Sequence, residues 1–245
     1  MHSKRRNPTY TMRAIFVVFF LVSSLFSKGQ TIFSTQQGWS DISIWYHVSP
    51  SIKMGGDFGY RATFDLNTYH QLYFRPTIQW RINKTFSASF AASNFHSVID
   101  DAVDLNEMRL AQQVTIRWPK IGPFKMSHRV RVEERFFLLE SNKANAQRLR
   151  YRIKLAPPNF RLFDWNSSFY SGFTWEAFIN LGSSYENLLG NGHRYEIVMG
   201  NKISTKVSAG LHYIWQTTLV ADETFDLKDN VLRLRFGYTI NPKDE

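Results

Sequence analysis

Apolar and polar residues alternate with a period of two along most of the chain between Trp39 and Ile240. Successive side chains of a β-strand point to opposite faces of the sheet, so this period indicates strands with one apolar and one polar face. The alternation is strictest in residues 148–155. One face of this segment consists of Leu149, Tyr151, Ile153 and Leu155, and the opposite face consists of Arg148, Arg150, Arg152 and Lys154. The chain is therefore predicted to be all-β.

The predicted strands are long for a protein of 245 residues. The segments that carry the pattern are 39–48, 54–66, 69–82, 85–96, 107–118, 125–139, 147–156, 168–180, 193–203, 206–217 and 229–240. Many have ten residues or more, whereas strands of globular proteins average about five or six and a tilted membrane-spanning strand needs about nine to eleven. These lengths favour a closed antiparallel up-and-down transmembrane β-barrel.

The connections between these segments tend to alternate between short turns and longer polar loops, as in outer-membrane barrels. The longer ones are predicted at 97–106, 140–146, 181–192 and 218–228, and 157–167 is long where a short turn is expected. Bacterial single-chain barrels normally have an even number of strands. A further strand near 31–36 would give twelve strands with both ends in the periplasm, and ten strands is the alternative.

The first 29 residues have the composition of a secretory signal peptide. Basic residues precede an apolar run at 14–26, which is too short to span a bilayer comfortably and has the usual size of a signal-peptide core. Small residues follow, so cleavage is predicted before Gln30; a retained N-terminal anchor is the alternative. The predicted organisation is a signal peptide at 1–29 and an outer-membrane β-barrel at 30–245, located in the cell outer membrane.

The charge and cysteine content narrow the possible functions. The formal charge is +10, but five basic residues lie in the first 29 positions, and without them 25 basic and 20 acidic residues leave only +5. This is weak evidence for a polyanion, so no nucleic-acid partner is expected. The chain has no cysteine, which excludes disulfides, thiolate metal sites and a cysteine nucleophile. Aromatic residues make up 16%, which suits strands and membrane–water interfaces.

Two motifs carry a resemblance to a known family. These are residues 128–136 (HRVRVEERF) and 148–152 (RLRYR), and the Gly38-Trp39 pair and Glu176 match the same pattern. On these residues the chain resembles the domain-of-unknown-function 2490 family of Gram-negative outer-membrane β-barrel proteins, over about residues 38–240. The resemblance implies the fold and the compartment, and it implies no particular activity.

Arginine and glutamate residues form a charged ladder on two consecutive predicted strands. In a barrel they cannot face lipid, because a cation on a lipid-facing site at the bilayer midplane costs about 2–4 kcal/mol. They are therefore predicted to point into the lumen, with glutamates among the arginines to offset their repulsion. Strict alternation would send Glu134 outward, unless it lies near a rim or at a bulge. The predicted lumen ladder consists of Arg129, Arg131, Glu133, Arg135, Arg148, Arg150, Arg152, Lys154, Glu176 and Glu196.

Two functions are compatible with this ladder. The lumen can be a salt-bridged wall that holds the barrel in shape, or a cationic channel or cavity for small anionic solutes. Outer-membrane lipid is the other expected partner, no cofactor or metal is expected, and the oligomeric state stays open. An acidic cluster of Asp100, Asp101, Asp104 and Glu107 in a predicted external loop resembles no EF-hand and is interpreted as a solvated loop.

Enzyme motifs are mostly missing, so an enzyme is not the favoured class. His96-Ser97 and Ser127-His128 place the two residue types side by side, but neighbours on a strand point to opposite faces. No nucleophile elbow, zinc-protease motif, phosphate-binding loop or dinucleotide motif occurs in a suitable context. An outer-membrane enzyme acting on lipid or glycan and a secreted β-sandwich binding protein remain the alternatives.

Overall fold

The computed structural model describes residues 34–64, 69–99, 103–138, 143–161, 168–181, 191–219 and 226–241. The predicted signal peptide lies outside these residues. The strands are β1 Ser34–His47, β2 Ile52–Thr63, β3 Tyr69–Arg81, β4 Phe86–Ile99, β5 Val103–Arg117, β6 Lys125–Leu138, β7 Lys143–Ala156, β8 Ser168–Asn180, β9 Gly192–Lys202, β10 Val207–Leu219 and β11 Asp226–Ile240. No helix long and apolar enough to cross a membrane occurs among the described residues.

The strands form one closed barrel in which each strand pairs with its neighbours in the sequence. All these neighbouring pairs are antiparallel, and the barrel is closed by β1 and β11, which pair in parallel from Ser34↔Lys228 to Tyr46↔Ile240. The predicted all-β closed barrel is therefore confirmed. Because a single sheet closes on itself, the alternative of a two-sheet sandwich is wrong. The closing pair also departs from the predicted wholly antiparallel arrangement.

The described part of the chain has eleven strands, so neither twelve nor ten is the correct number. β1 runs without interruption from Ser34 through the segment predicted as 39–48, and it therefore takes up part of the extra strand predicted near 31–36. With an odd number of alternating strands, the first and last strands point the same way. Parallel closure is the direct consequence of this count, since antiparallel neighbours reverse direction at each step.

The connections define two rims. The turn rim carries the connections 48–51, 82–85, 118–124 and 203–206, and the opposite rim is where β1 begins and β2 ends. Ser34 and Ile240 therefore lie at opposite rims, which corrects the prediction that both ends of the barrel share one side. Several strands also extend into the predicted long loops: β4 continues to Ile99 and β5 starts at Val103, so that only residues 100–102 separate them.

The two faces of the barrel wall differ sharply in chemistry. Along β1, Ile42 and Ile44 are 52% and 50% exposed, whereas their neighbours Asp41 and Ser43 are 3% and 4% exposed. In a closed barrel the shielded face is the inner one, so mainly apolar side chains cover the outside. The inside holds most of the charged side chains together with some aromatic and aliphatic ones, such as Phe95 and Ile214. This is the reverse of the usual distribution in a soluble protein. Apolar side chains that are well exposed on the outer face include Phe58, Phe74, Ile197, Leu232, Leu234 and Phe236.

Candidate site: an arginine-rich interior cavity

Glu133 on β6 is the centre of the ion pairs on one side of the barrel interior. Its Oε2 accepts hydrogen bonds from Nε and Nη2 of Arg148 at 2.9 and 2.5 Å. Its Oε1 accepts from Nη1 of Arg150 at 2.8 Å and from Nη1 of Arg131 at 3.3 Å. The register brings these groups together, because Glu133 and Arg148 are Cα partners on adjacent strands. One carboxylate therefore serves three arginines, as a charge-assisted network requires when cations outnumber acids.

Two further glutamates extend this network to the neighbouring strands. Glu107 on β5 binds Arg135 through both carboxylate oxygens, at 2.5 and 3.0 Å, and also binds Arg109. Glu176 on β8 accepts from Nε and Nη2 of Arg150 at 3.1 and 2.9 Å and from Arg129. Arg150 therefore links two glutamates, and the network connects β5, β6, β7 and β8 across the inner face.

The other side of the interior is held by aspartates. Asp57 on β2 binds Arg75 on β3 at 2.7 Å and also Arg235 on β11. Asp41 on β1 binds Arg233 and accepts a hydrogen bond from the hydroxyl of Tyr73. Arg233 and Arg235 both belong to β11, so these ion pairs cross the place where β1 and β11 close the barrel. The ion pairs therefore connect the first strands of the chain to the last.

Three interior arginines bind the neutral amide of a glutamine. Arg61 Nη1 donates to Gln71 Oε1 at 3.0 Å, and Arg194 Nε donates to Gln216 Oε1 at 3.0 Å. Arg131 donates to Gln113 Oε1 at 3.0 and 2.7 Å in addition to its contact with Glu133. A glutamine oxygen satisfies guanidinium N–H groups without neutralising their charge. These contacts therefore leave positive charge in the interior.

Aromatic rings lie between the arginines. The Arg109 guanidinium carbon is 3.8 Å from the ring centroid of Phe95, and Phe95 stacks on Tyr73 with 5.2 Å between centroids. Arg61 lies 4.8 Å from the Tyr73 ring and 4.2 Å from the Trp39 ring, measured in the same way. Cations over aromatic faces are electrostatically favourable, so these rings stabilise both Arg109, which also binds Glu107, and Arg61, which forms no ion pair among the described residues.

Many of these groups line a cavity of about 520 Å³. Among the described residues that line it, twelve are arginines, whereas the acids are Glu176, Glu196 and Asp229. The remaining lining residues are mainly hydroxyl, amide and aromatic side chains. The cavity surface therefore has a large excess of positive charge.

The predicted ladder residues fall into three groups. The structure joins seven of them in the network described above: Arg129, Arg131, Glu133, Arg135, Arg148, Arg150 and Glu176. Within the described residues, Arg152 and Lys154 make no ion pair, although Arg152 also lines the cavity. Glu196 is joined to His212, whose Nδ1 lies 2.6 Å from its carboxylate oxygen.

The structure resolves the position of Glu134 and changes the interpretation of part of the acidic cluster. Glu134 is half-buried with Leu110 and Gln147 as its Cα partners, four residues before β6 ends, and the register around it is continuous. A position towards the rim, rather than a bulge, explains this outward acid.

Glu107, predicted in a solvated loop, is an interior residue of the network; Asp100 and Asp101 lie outside the described residues.

Sequence reasoning missed several interior residues, including Asp41, Asp57, Arg61, Arg75, Arg194, Arg233 and Arg235. The signal that could have found them is the alternation itself, since Arg75 and Arg233 occupy the polar face of segments whose pattern is clear. The glutamine partners carry no such signal, because an amide is common on any polar strand face.

The candidate enzyme pairs are separated in the structure. His96 contacts Asn106 at 3.1 Å, while Ser97 accepts a hydrogen bond from Gln71 at 2.7 Å on the buried face. His128 lies 2.6 Å from the hydroxyl oxygen of Tyr151. Within the described ranges, no group of three or more histidine, aspartate or glutamate side chains is arranged to hold a metal ion.

The fold and the site together define a closed all-β barrel with an apolar exterior and an arginine-rich interior. A family model described as a protein of unknown function (DUF2490) matches residues 36–225. The chain belongs to this family, as the resemblance of residues 128–136 and 148–152 indicated. A search of curated proteins found no match.

Proposed function

We propose that this protein is an outer-membrane β-barrel of a Gram-negative bacterium whose arginine-rich lumen admits small anionic solutes. The observation that carries the proposal is the inversion of the two faces. Half-exposed apolar residues outside and buried charges inside suit a barrel that is surrounded by lipid. Closure of the sheet also pairs every strand edge, as a bilayer requires.

The membrane setting is supported by the size of the apolar exterior. Monomeric soluble proteins rarely expose contiguous apolar patches larger than a few hundred Å². Here exposed leucine, isoleucine, phenylalanine and methionine side chains occur on strands all around the barrel, including Ile44 on β1, Phe90 on β4 and Met199 on β9. Strands of 11 to 15 residues are long enough to cross a bilayer at the usual tilt.

The solute role is supported by the sign of the interior charge. Arginine side chains that line a pore favour anions over cations. The described residues along the cavity lining include twelve arginines and three acids. The carboxylates of Asp41, Asp57, Glu107 and Glu133 are already bound to arginines. An anion entering this space meets more positive charge than the protein itself neutralises.

The test is reconstitution of the purified protein into planar bilayers separating two KCl concentrations. We expect a conductance whose reversal potential has the sign of chloride selectivity. A cation-selective conductance would contradict the solute role. The membrane setting is tested separately by extraction of cell envelopes: release of the protein into buffer without detergent would contradict it.

A purely structural barrel is the second candidate, and the carboxylate networks favour it. Glu107, Glu133 and Glu176 connect four adjacent strands, and Asp41 and Asp57 connect the closing strands. Such pairs fix the shape of a small barrel whose side chains fill part of its interior. Electrical silence of correctly inserted protein at all voltages would favour this candidate over solute passage.

A further inference from the structure

Arg61 and Arg194 meet at one aromatic ring although their strands are not neighbours in the sheet. The guanidinium carbon of Arg61 on β2 lies 4.2 Å from the Trp39 ring centroid, and that of Arg194 on β9 lies 5.3 Å from it. β10, β11 and β1 separate these strands around the barrel. The two cations therefore approach each other across the interior, and both line the cavity.

Neither arginine forms an ion pair with a carboxylate in the described part of the chain. Their hydrogen bonds go to the amide oxygens of Gln71 and Gln216. The nearest acid in this series of contacts is Asp229, which accepts from Gln216 at 3.4 Å and from Thr35 at 2.5 Å. Nε of Arg61 is buried and has no hydrogen-bond partner, so this donor is left unsatisfied.

A third arginine without an ion pair in the described ranges lies two strands from Arg194. Arg152 on β7 and Arg194 on β9 are both Cα partners of Glu176 on β8, so the two arginines flank the same glutamate. Glu176 is bound to Arg129 and Arg150, and Arg152 makes no ion pair among the described residues. Arg129, which is 6% exposed, has a buried Nε without a partner. The surplus of charge and donors is concentrated around this part of the cavity.

Buried cations that lack a directly bound counter-charge are unfavourable, so this arrangement favours a bound anion. The planar guanidinium matches carboxylate and phosphate geometry through paired N–H donors. Three surplus cations exceed the charge of a monovalent anion and match a polyvalent one. The volume of about 520 Å³ lies within the usual range of small-molecule sites.

We propose that Arg61 and Arg194, supported by Arg152, form a binding site for a small polyvalent oxyanion of the phosphate or polycarboxylate type. The Trp39 ring, which lies beside both guanidinium groups, helps to hold the two binding arginines in position, and Gln71 and Gln216 orient them. The proposal rests on the proposed function, because the solute must reach the lumen. It adds that the solute is retained at a defined site.

The test is calorimetric titration of the detergent-solubilised barrel with inorganic pyrophosphate, with citrate in a parallel titration, at constant ionic strength set by chloride. We expect saturable binding with one site per chain. If pyrophosphate binds more tightly than citrate, the site is of the phosphate type; the reverse order assigns the polycarboxylate type. Arg61→Gln combined with Arg194→Gln should weaken binding about a hundredfold, since each lost charge-assisted contact weakens it roughly tenfold or more.

The matched control combines Arg81→Gln with Arg117→Gln, which removes the same charge at the turn rim, away from the cavity lining. This control should bind like the unaltered protein. Arg61→Lys combined with Arg194→Lys keeps the charge and loses the planar guanidinium group, so this variant should bind with intermediate affinity. It replaces the glutamine variant in the comparison if the glutamine variant does not fold. Folding of each variant is checked by its heat-dependent mobility in gels.

Three results would overturn the site: absence of pyrophosphate and citrate binding to folded protein, equal binding by the Arg61/Arg194 glutamine variant, or equal weakening in the Arg81/Arg117 control. Anion-selective conductance together with any of these results would leave the proposed function intact and remove only the binding site. Oxyanion binding by a barrel that conducts nothing would keep the site and contradict passage through the lumen.

Discussion

Arg148 on β7 binds Glu133 on β6 through two N–H groups that share one carboxylate oxygen, at 2.9 and 2.5 Å. Glu133 is 2% exposed and also accepts from Arg131 and Arg150. Removing one partner of a buried ion pair leaves the other charges uncompensated, which costs more than the pair itself contributes. Glu133 is therefore expected to contribute strongly to the stability of this side of the barrel, together with Glu107 and Glu176.

Glu133→Gln keeps the shape of the side chain and removes its charge. We expect it to lower the free energy of unfolding by about 3–5 kcal/mol, because three arginines lose their shared counter-charge. Urea unfolding of the protein in lipid vesicles measures the change.

Glu134→Gln is the matched control for this substitution. It makes the same chemical change one residue along the strand, on the outer face towards the rim, and it should alter the free energy of unfolding by no more than about 0.5 kcal/mol. Similar losses in both variants would contradict a specific role for the inner-face network.

The second prediction concerns the outer face, where a charge is added instead of removed. Leu234 is 49% exposed near the middle of β11. Leu234→Lys should destabilise the barrel in a bilayer by about 2–4 kcal/mol, because the ammonium group would have to enter hydrocarbon. The same substitution at the exposed residue Ile203, in a connection at the turn rim, should cost about 0–1 kcal/mol. Equal tolerance of lysine at both positions would indicate an aqueous surrounding.

Much of the wall could be predicted from the sequence, because alternation is a local property. Arg148, Arg150 and Arg152 share a face whatever the rest of the chain does, and the closed all-β barrel follows from many such segments of unusual length. The acidic cluster that includes Glu107 predicts a solvated loop next to the predicted strand 107–118, whereas β4 and β5 extend through most of that loop.

The closure of the barrel and the glutamine-bound arginines could not be predicted in this way. Whether Ser34–His47 is one strand or follows a separate one changes the strand count by one, and with it the direction of the closing pair. The approach of Arg61 to Arg194 depends on which residues face each other across the interior. That relationship is set by the curvature and tilt of the whole sheet, which cannot be inferred from the pattern of any single segment.

The parallel closing pair can be tested with cysteines, because the chain has none of its own. Ser40 and Leu234 are Cα partners in the β1–β11 register. Adjacent strands lie about 4.8 Å apart, within the range that a disulfide can bridge. Ser40→Cys with Leu234→Cys should therefore form a disulfide on mild oxidation, seen as a shift in the mobility of the denatured protein.

The control for this cross-link places the second cysteine one strand further away. Leu211 on β10 is the Cα partner of Leu234, so β11 separates it from Ser40. Ser40→Cys with Leu211→Cys should remain reduced under the same conditions. Cross-linking of the Leu211 pair in preference to the Leu234 pair would show that β11 does not lie between these strands.

The assignment of an apolar exterior in lipid and a polar interior is tested most directly by spin labels on β3 of protein in lipid vesicles. Phe74 and Ile78 lie on the outer face, and Thr77 and Gln79 lie on the inner face. Labels attached to single cysteines at Phe74 and Ile78 should collide mainly with oxygen, which concentrates in lipid, and labels at Thr77 and Gln79 mainly with a water-soluble nickel complex. Loss of this alternation, or its reversal, would contradict the account.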